Sequence, residues 1–187
     1  MQIISWPDSE VPDEVRRQVV RLEEQAWPPE PTVPPHGHDP MLRPIAMVLT
    51  DGDRVVSSLT ILAKAITHRG HRFAASGLSS VVTDSDARNQ GHGLRLVTAA
   101  REAIAAAGAD LGIFTCDEPL RGFYERAGWR TLPGTVLIGG TAEMPLPSDL
   151  FAKLTLGDFF TEHGRRYAAS FYGARIELYP GDIDKLW

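Results

Sequence analysis

The spacing of apolar positions changes several times along the chain, and each change marks an element. Between Pro12 and Ala26, Val15, Val19, Leu22 and Ala26 recur every three or four residues, which predicts a helix with one buried face. Asp8 or Ser9 is the expected cap, Pro12 suits the first turn, and Pro28 and Pro29 stop the helix. A Pro-rich stretch, 28–40, follows. It reads either as a solvent-facing connection or as a lid over a substrate. Ile45 to Leu49, Val55 to Ala65 and His71 to Thr83 read as three strands. Turns at Asp51-Gly52-Asp53 and Thr67 to Gly70 separate them, which predicts an antiparallel meander. Gly77 marks either a bulge or a close backbone approach.

A polar connection, Asp84 to Gln90, leads into a second periodic segment. Leu94, Val97, Ala100, Arg101 and Ile104 set a helix over 91–107 that ends at Gly108. Leu111 to Cys116 is the next strand, so strand, helix and strand form a parallel, right-handed crossover. Further on, Leu132 to Gly139 predicts a strand and Leu150 to Leu156 an apolar run. Gly157 to Arg166 is mixed and helical from Asp158, and Tyr167 to Tyr179 reads as a strand pair split near Gly173. The aromatic side chains there, Phe159, Phe160, Tyr167, Phe171, Tyr172 and Tyr179, suit either an acceptor-pocket wall or a core and dimer surface. No internal repeat is present.

Composition narrows the class. The chain has 187 residues, 43% hydrophobic and 23% charged, which suits one folded domain with a real core. A net charge of −5 disfavours general binding to nucleic acid or to anionic membranes. No run of about 18 apolar residues is present, and the N-terminus lacks a signal-peptide pattern, so a cytoplasmic location is expected. The single cysteine, Cys116, permits no internal disulfide and has no His–Asp support for nucleophilic work, so packing is expected. His36, His38 and Asp39 lack a distant third ligand, so no metal site is expected.

The sharpest local chemistry is Arg88-Asn89-Gln90-Gly91-His92-Gly93. Two glycines permit a tight turn and a close backbone approach, and the helix beginning there presents unpaired N–H groups to an anion. The Walker lysine and hydroxyl are missing, and so is the later glycine of a dinucleotide fingerprint. A compact turn with a solvent-facing arginine would look the same.

Arg88, Gly91 and Gly93 match the R/Q-x-x-G-x-G/A segment of the GCN5-related N-acetyltransferase (GNAT) superfamily, and the order of elements resembles that fold. Pro119 to Trp129 is similar to the family's short helix ending in F/LYxxxGF/W. The resemblance spans about residues 40 to 140. It implies an α/β domain with a mixed, mostly antiparallel central sheet flanked by helices, with 141–187 as a divergent acceptor-side region. Acetyl-CoA would be the cofactor, a small-molecule amine the partner, and a homodimer the assembly. Backbone amides across Gln90, Gly91, His92, Gly93 and Leu94, with Arg88 and Asn89, would hold the diphosphate. Main-chain groups of Val81, Val82 and Thr83 would hold the pantetheine arm. Tyr124 would protonate the departing thiolate, with Phe123 and Trp129 as core anchors.

A weaker likeness to aminoglycoside 2'-N-acetyltransferases rests on Thr67-His68-Arg69-Gly70 and the tail from Gly181 to Trp187. It would bring the Trp187 carboxylate to the acceptor. It also places Ser79 where those enzymes carry an acidic residue, and Ser79 can at most position a water. The base would come from Asp84, Glu118, His71 or Trp187. The expected reaction is direct acetyl transfer from acetyl-CoA to an amine, with an oxyanion donor near Val82. The alternatives are a non-catalytic acyl-CoA-binding module and, more remotely, an adenine-nucleotide binder.

Overall fold

The computed structural model describes residues 1–28 and 37–179. Ten strands and four α-helices follow in chain order. They are β1 (Gln2–Pro7), α1 (Asp13–Ala26), β2 (Ile45–Asp51), β3 (Arg54–His68), β4 (His71–Thr83), α2 (His92–Ala106), β5 (Leu111–Asp117) and α3 (Arg121–Arg126). β6 (Arg130–Thr131), β7 (Val136–Gly140), β8 (Pro145–Pro147), β9 (Lys153–Phe159), α4 (Glu162–Tyr167) and β10 (Arg175–Glu177) complete the described chain. The main sheet has seven strands in the order β1-β2-β3-β4-β5-β9-β6. Every neighbouring pair is antiparallel except β4 and β5. A second sheet runs β10-β7-β8. The expected mixed, mostly antiparallel sheet flanked by helices is therefore present.

Local chemistry accounts for the meander. Arg69 and Gly70 take φ of 48° and 78° between paired His68 and His71, the left-handed geometry of a two-residue hairpin turn. The crossover from β4 through α2 to β5 pairs only Ala75 with Leu111 and Ser76 with Gly112. Beyond those pairs the two strands have no ladder between them, although β4 continues against β3 and β5 against β9. The middle of the main sheet is thus open along one seam.

Helices cover both faces. α2 buries Leu96, Val97, Ala100 and Ile104 in the larger core with Leu49, Val56 and Phe114. On the opposite face α1 buries Leu22 with Val48, Val55 and Val82, and Val15, Val19 and Ala26 pack around them. The face predicted for α1 is the one it uses. Its N-terminus is different: Pro12 itself is the cap residue, and Asp8 instead bonds the Arg16 guanidinium at 3.3 Å.

Other expectations change. Residues 2–7 form an edge strand paired with β2. Gly77 stays in register with Leu62, and the irregularity lies where Ser58 pairs Val82 and Thr60 pairs Ser79. The strand expected over 132–139 begins at Val136, after a turn at Gly134. Asp158 does not start a helix but lies near the end of β9, inside the main sheet, and α4 begins at Glu162. Residues 167–171 are helical rather than extended, and only Arg175–Glu177 of that stretch forms a strand. No described helix is long and apolar enough to cross a membrane.

The seam opens beside Gly112. A β-carbon there would lie 2.5 Å from the Trp129 ring, which is itself 2% exposed and stacked edge-on to Phe114 at 4.8 Å. Gly112→Ala is expected to destabilise the fold by about 1–3 kcal/mol through overpacking. A lower urea midpoint with an unchanged slope would show it. An unchanged midpoint would mean that Trp129 yields freely.

Candidate active site

The end of β4 and the first turn of α2 are built against each other. Ser57 Oγ donates to the Val82 carbonyl at 2.8 Å and lies 3.0 Å from Thr83 Oγ1. Thr83 Oγ1 in turn stands 2.8 Å from where a β-carbon of Gly93 would be. Only a glycine at 93 lets the helix approach this strand. Gly91 caps the helix in the left-handed region (φ 80°), with no protein atom within 4 Å of a would-be β-carbon.

The helix opening is free. Arg95 N–H makes the first intrahelical bond, to Gly91 O at 2.9 Å, and no side chain caps the turn. That leaves the N–H groups of His92, Gly93 and Leu94 for an outside acceptor at the positive end of the helix dipole. Arg88 is exposed, and its Nε donates to the Thr83 carbonyl at 3.3 Å, which holds the guanidinium at the turn. Asn89 takes a φ of 62°. Gln90 bonds Asp86 O at 3.2 Å and lies 3.3 Å from His92 Nε2. The predicted turn residues therefore come together as one exposed, cationic, amide-lined end. It fits a diphosphate by the chemistry of its donors and by the space left at Gly91.

The seam leads away from this turn. Asp84 N–H bonds Val56 O at 3.0 Å, so by the two-residue alternation of an antiparallel ladder Val82 faces β3. Val81 and Thr83 then turn their N–H groups toward the gap between β4 and β5. Across that gap, Tyr124 packs edge-on to Phe114 at 5.0 Å and to Phe123 at 5.0 Å. Phe123 lies about 3.5 Å from the would-be β-carbon of Gly93, so α3 seats Tyr124 next to the α2 opening. Tyr124 is 6% exposed, and burial pushes its hydroxyl well above the usual tyrosine range. Cys116 is buried beside it, and burial raises its thiol to about 11.

The other predicted residues separate. Asp84 is ion-paired with Arg54 at 2.7 Å, a bond that holds its carboxyl below the usual range, and it also accepts from Asp86 N. His71 stacks on Tyr167 at 4.2 Å at the far end of β4, roughly 40 Å along the strand from Thr83. Glu118 is exposed and pairs with Arg121 at 3.2 Å. Asp39 accepts from Met41 N, and no metal-binding cluster occurs among the described residues. His36 and Trp187 lie outside the described residues. Phe171 is buried against Phe73, Phe159 and His68, so these aromatics build core.

On the α1 face a cavity of about 100 Å³ opens above the sheet, with Ser58, Thr60 and Ser80 among its lining residues. Ser79 pairs with Thr60, and it is Ser80, at φ 49°, that lines the cavity. The signal for Ser58 and Thr60 was their polarity within an otherwise apolar central strand.

The family model described as an acetyltransferase (GNAT) domain matches residues 9–132. No curated protein matches the sequence. Solved structures are similar in fold. An acyl-CoA N-acyltransferase from Pseudomonas aeruginosa is 16% identical with a TM-score of 0.58, covering 83% of this chain and 97% of that one. Escherichia coli ElaA is 14% identical with a TM-score of 0.59 and the same coverage. An aminoglycoside 6'-N-acetyltransferase complexed with coenzyme A is 16% identical with a TM-score of 0.55, covering 86% and 98%.

The elevated Cys116 thiol is directly testable. At pH 9 an unfolded thiol with its ordinary value of 9.0 is half ionised, whereas one at about 11 is ionised in roughly a hundredth of molecules. Alkylation of Cys116 at pH 9 is therefore expected to run at least about 50-fold slower in folded than in denatured protein. Equal rates would show an open, ionised thiol.

Proposed function

Starting from the premise that this chain belongs to the GNAT acetyltransferase family of acyl-CoA-dependent N-acetyltransferases, we propose that it transfers acetyl from acetyl-CoA to a primary amine of a small molecule. Transfer is direct, in a ternary complex, and the acceptor class is an amino sugar or aminoglycoside. The observation that carries the reading is the uncapped opening of α2 standing at the mouth of the unpaired β4–β5 seam. A homodimer and a cytoplasmic location belong to the same reading.

Each residue then has a task. The amides of His92, Gly93 and Leu94, with Arg88 beside them, bind the diphosphate. The seam edge at Val81 to Thr83 binds the pantetheine arm, taking the place of a neighbouring strand. Bound there, acetyl-CoA supplies an activated acetyl thioester. The Val81 N–H, next to the bulge, is the donor for negative charge developing on the carbonyl oxygen, and the Thr83 N–H stays with the arm. Tyr124, kept protonated by burial, donates its proton to the sulfur as the carbon–sulfur bond breaks. A neutral amine forms the new carbon–nitrogen bond and gives up one proton, so the proton count closes with a free thiol and an amide. The acceptor enters from the α1 side. Asp84 and Glu118 are already held in ion pairs and His71 is remote, so deprotonation falls to water or to the Trp187 carboxylate rather than to any of these three.

Two substitutions test this. Tyr124→Phe is expected to keep coenzyme A affinity within twofold by calorimetry while acetyl transfer, read as free thiol, falls about a hundredfold. Unchanged turnover would remove the acid role. A wild-type protein that binds acetyl-CoA but acetylates nothing in a broad amine panel would favour the non-catalytic module. Gly91→Val forces a β-branched residue to a φ of 80° and is expected to weaken coenzyme A binding about tenfold. Equal affinity in folded mutant protein would contradict the amide cradle.

A further inference from the structure

Buried hydroxyls in a sheet find hydrogen-bond partners, and Ser58 is an exception. It is 2% exposed, and its Oγ has no partner among the described residues. Its neighbour Ser57, on the opposite face of β3, lies within bonding distance of two oxygens. Leaving a buried hydroxyl unpaired is unfavourable, and alanine would fill the position more cheaply. Ser58 lines the α1-side cavity together with Thr60 and Ser80. Ser80 holds the left-handed backbone that lets β4 carry an extra residue opposite β3. A hydroxyl with no partner among the described residues, just behind the wall of a cavity and beside a strained bulge, finds a partner by turning about its Cα–Cβ bond toward the cavity.

The size and charge of the cavity restrict that partner. Its volume of about 100 Å³ equals roughly three waters, so one end of a small molecule enters. The wall also carries Asp8, whose carboxylate pairs with the Arg16 guanidinium at 3.3 Å, so this part of it is already charge-balanced and the hydroxyls are what a ligand can be read by. Ser80 touches the cavity, while the next residue, Val81, faces the seam, so a group bound at Ser58 lies across β4 from the proposed thioester arm.

We propose that this cavity receives the hydroxyl-bearing end of a small amino alcohol, and that Ser58 is the residue that selects for that hydroxyl. The inference rests on the N-acetyltransferase reading and adds the acceptor's chemistry to it. Thr60 and Ser80 widen the polar floor, and Val19 packs against the ring or chain of the acceptor.

The test uses trans-2-aminocyclohexanol and cyclohexylamine, which differ by one hydroxyl, with wild-type protein and Ser58→Ala. Coenzyme A release, calorimetric binding of each amine in the presence of coenzyme A, acetyl-CoA affinity and thermal unfolding are measured. The wild type is expected to favour the amino alcohol at least tenfold. Ser58→Ala should lose about tenfold on the amino alcohol and stay within twofold on cyclohexylamine. It should bind acetyl-CoA as before and unfold at an unchanged or higher temperature, since no internal bond is lost. A wild type that holds acetyl-CoA but neither binds nor acetylates the amino alcohol preferentially overturns the inference. So does a variant that loses activity equally on both amines, or one whose unfolding temperature falls. Failure of the wild type to bind acetyl-CoA overturns the enzyme reading instead.

Discussion

The contact between Thr83 and Gly93 fixes the rest of the site. With 2.8 Å between Thr83 Oγ1 and a would-be β-carbon, only a residue without a side chain lets the helix start so close to its strand. That closeness lines up three amides with the end of β4 and leaves them uncapped. A side chain at 93 would push the helix away and separate the proposed diphosphate cradle from the seam proposed to receive the rest of the cofactor. Ser57 supports the contact from beneath by tying its hydroxyl to the Val82 carbonyl and Thr83 Oγ1.

β4 serves both faces of the sheet because it changes partners along its length. Near Ala75 and Ser76 it is paired on both edges, and beyond them only on the β3 side. The freed edge offers backbone groups to a ligand, as a missing strand would leave them. At Ser80 the extra residue turns a hydroxyl toward the α1 side. One strand thus reaches the proposed cofactor seam with its edge and the proposed acceptor cavity with its face. The α3 helix closes the arrangement by packing Phe123 near Gly93 and Tyr124 onto Phe114.

Much of this was legible in the sequence where local physics decides the outcome. The hairpin at Arg69-Gly70 and the α2 helix follow from turn chemistry and a 3.6-residue period, and both lie where expected. β9 was misread because Gly157 and Asp158 look like the start of a helix until their partners are seen. A β-carbon at 157 would meet Gly112 O and Leu132 at 2.9 Å, and Asp158 bonds Arg101 of α2. β1 is a short edge strand ending at Pro7 and defined only by β2. The acceptor side was the least legible. An inserted residue shifts the cavity hydroxyl from Ser79 to Ser80, and the unpartnered state of Ser58 exists only after packing. No periodicity reports that.

The central claim is that helix amides, rather than side chains alone, hold the diphosphate. Amide resonances of the folded chain titrated with coenzyme A, and separately with pantetheine, which lacks the diphosphate, test it most directly. The account predicts that coenzyme A shifts His92, Gly93 and Leu94 most strongly, while pantetheine leaves those three in place and moves the β4 edge from Val81 to Thr83. Amides 92–94 that stay still with coenzyme A, or move equally with pantetheine, would contradict it.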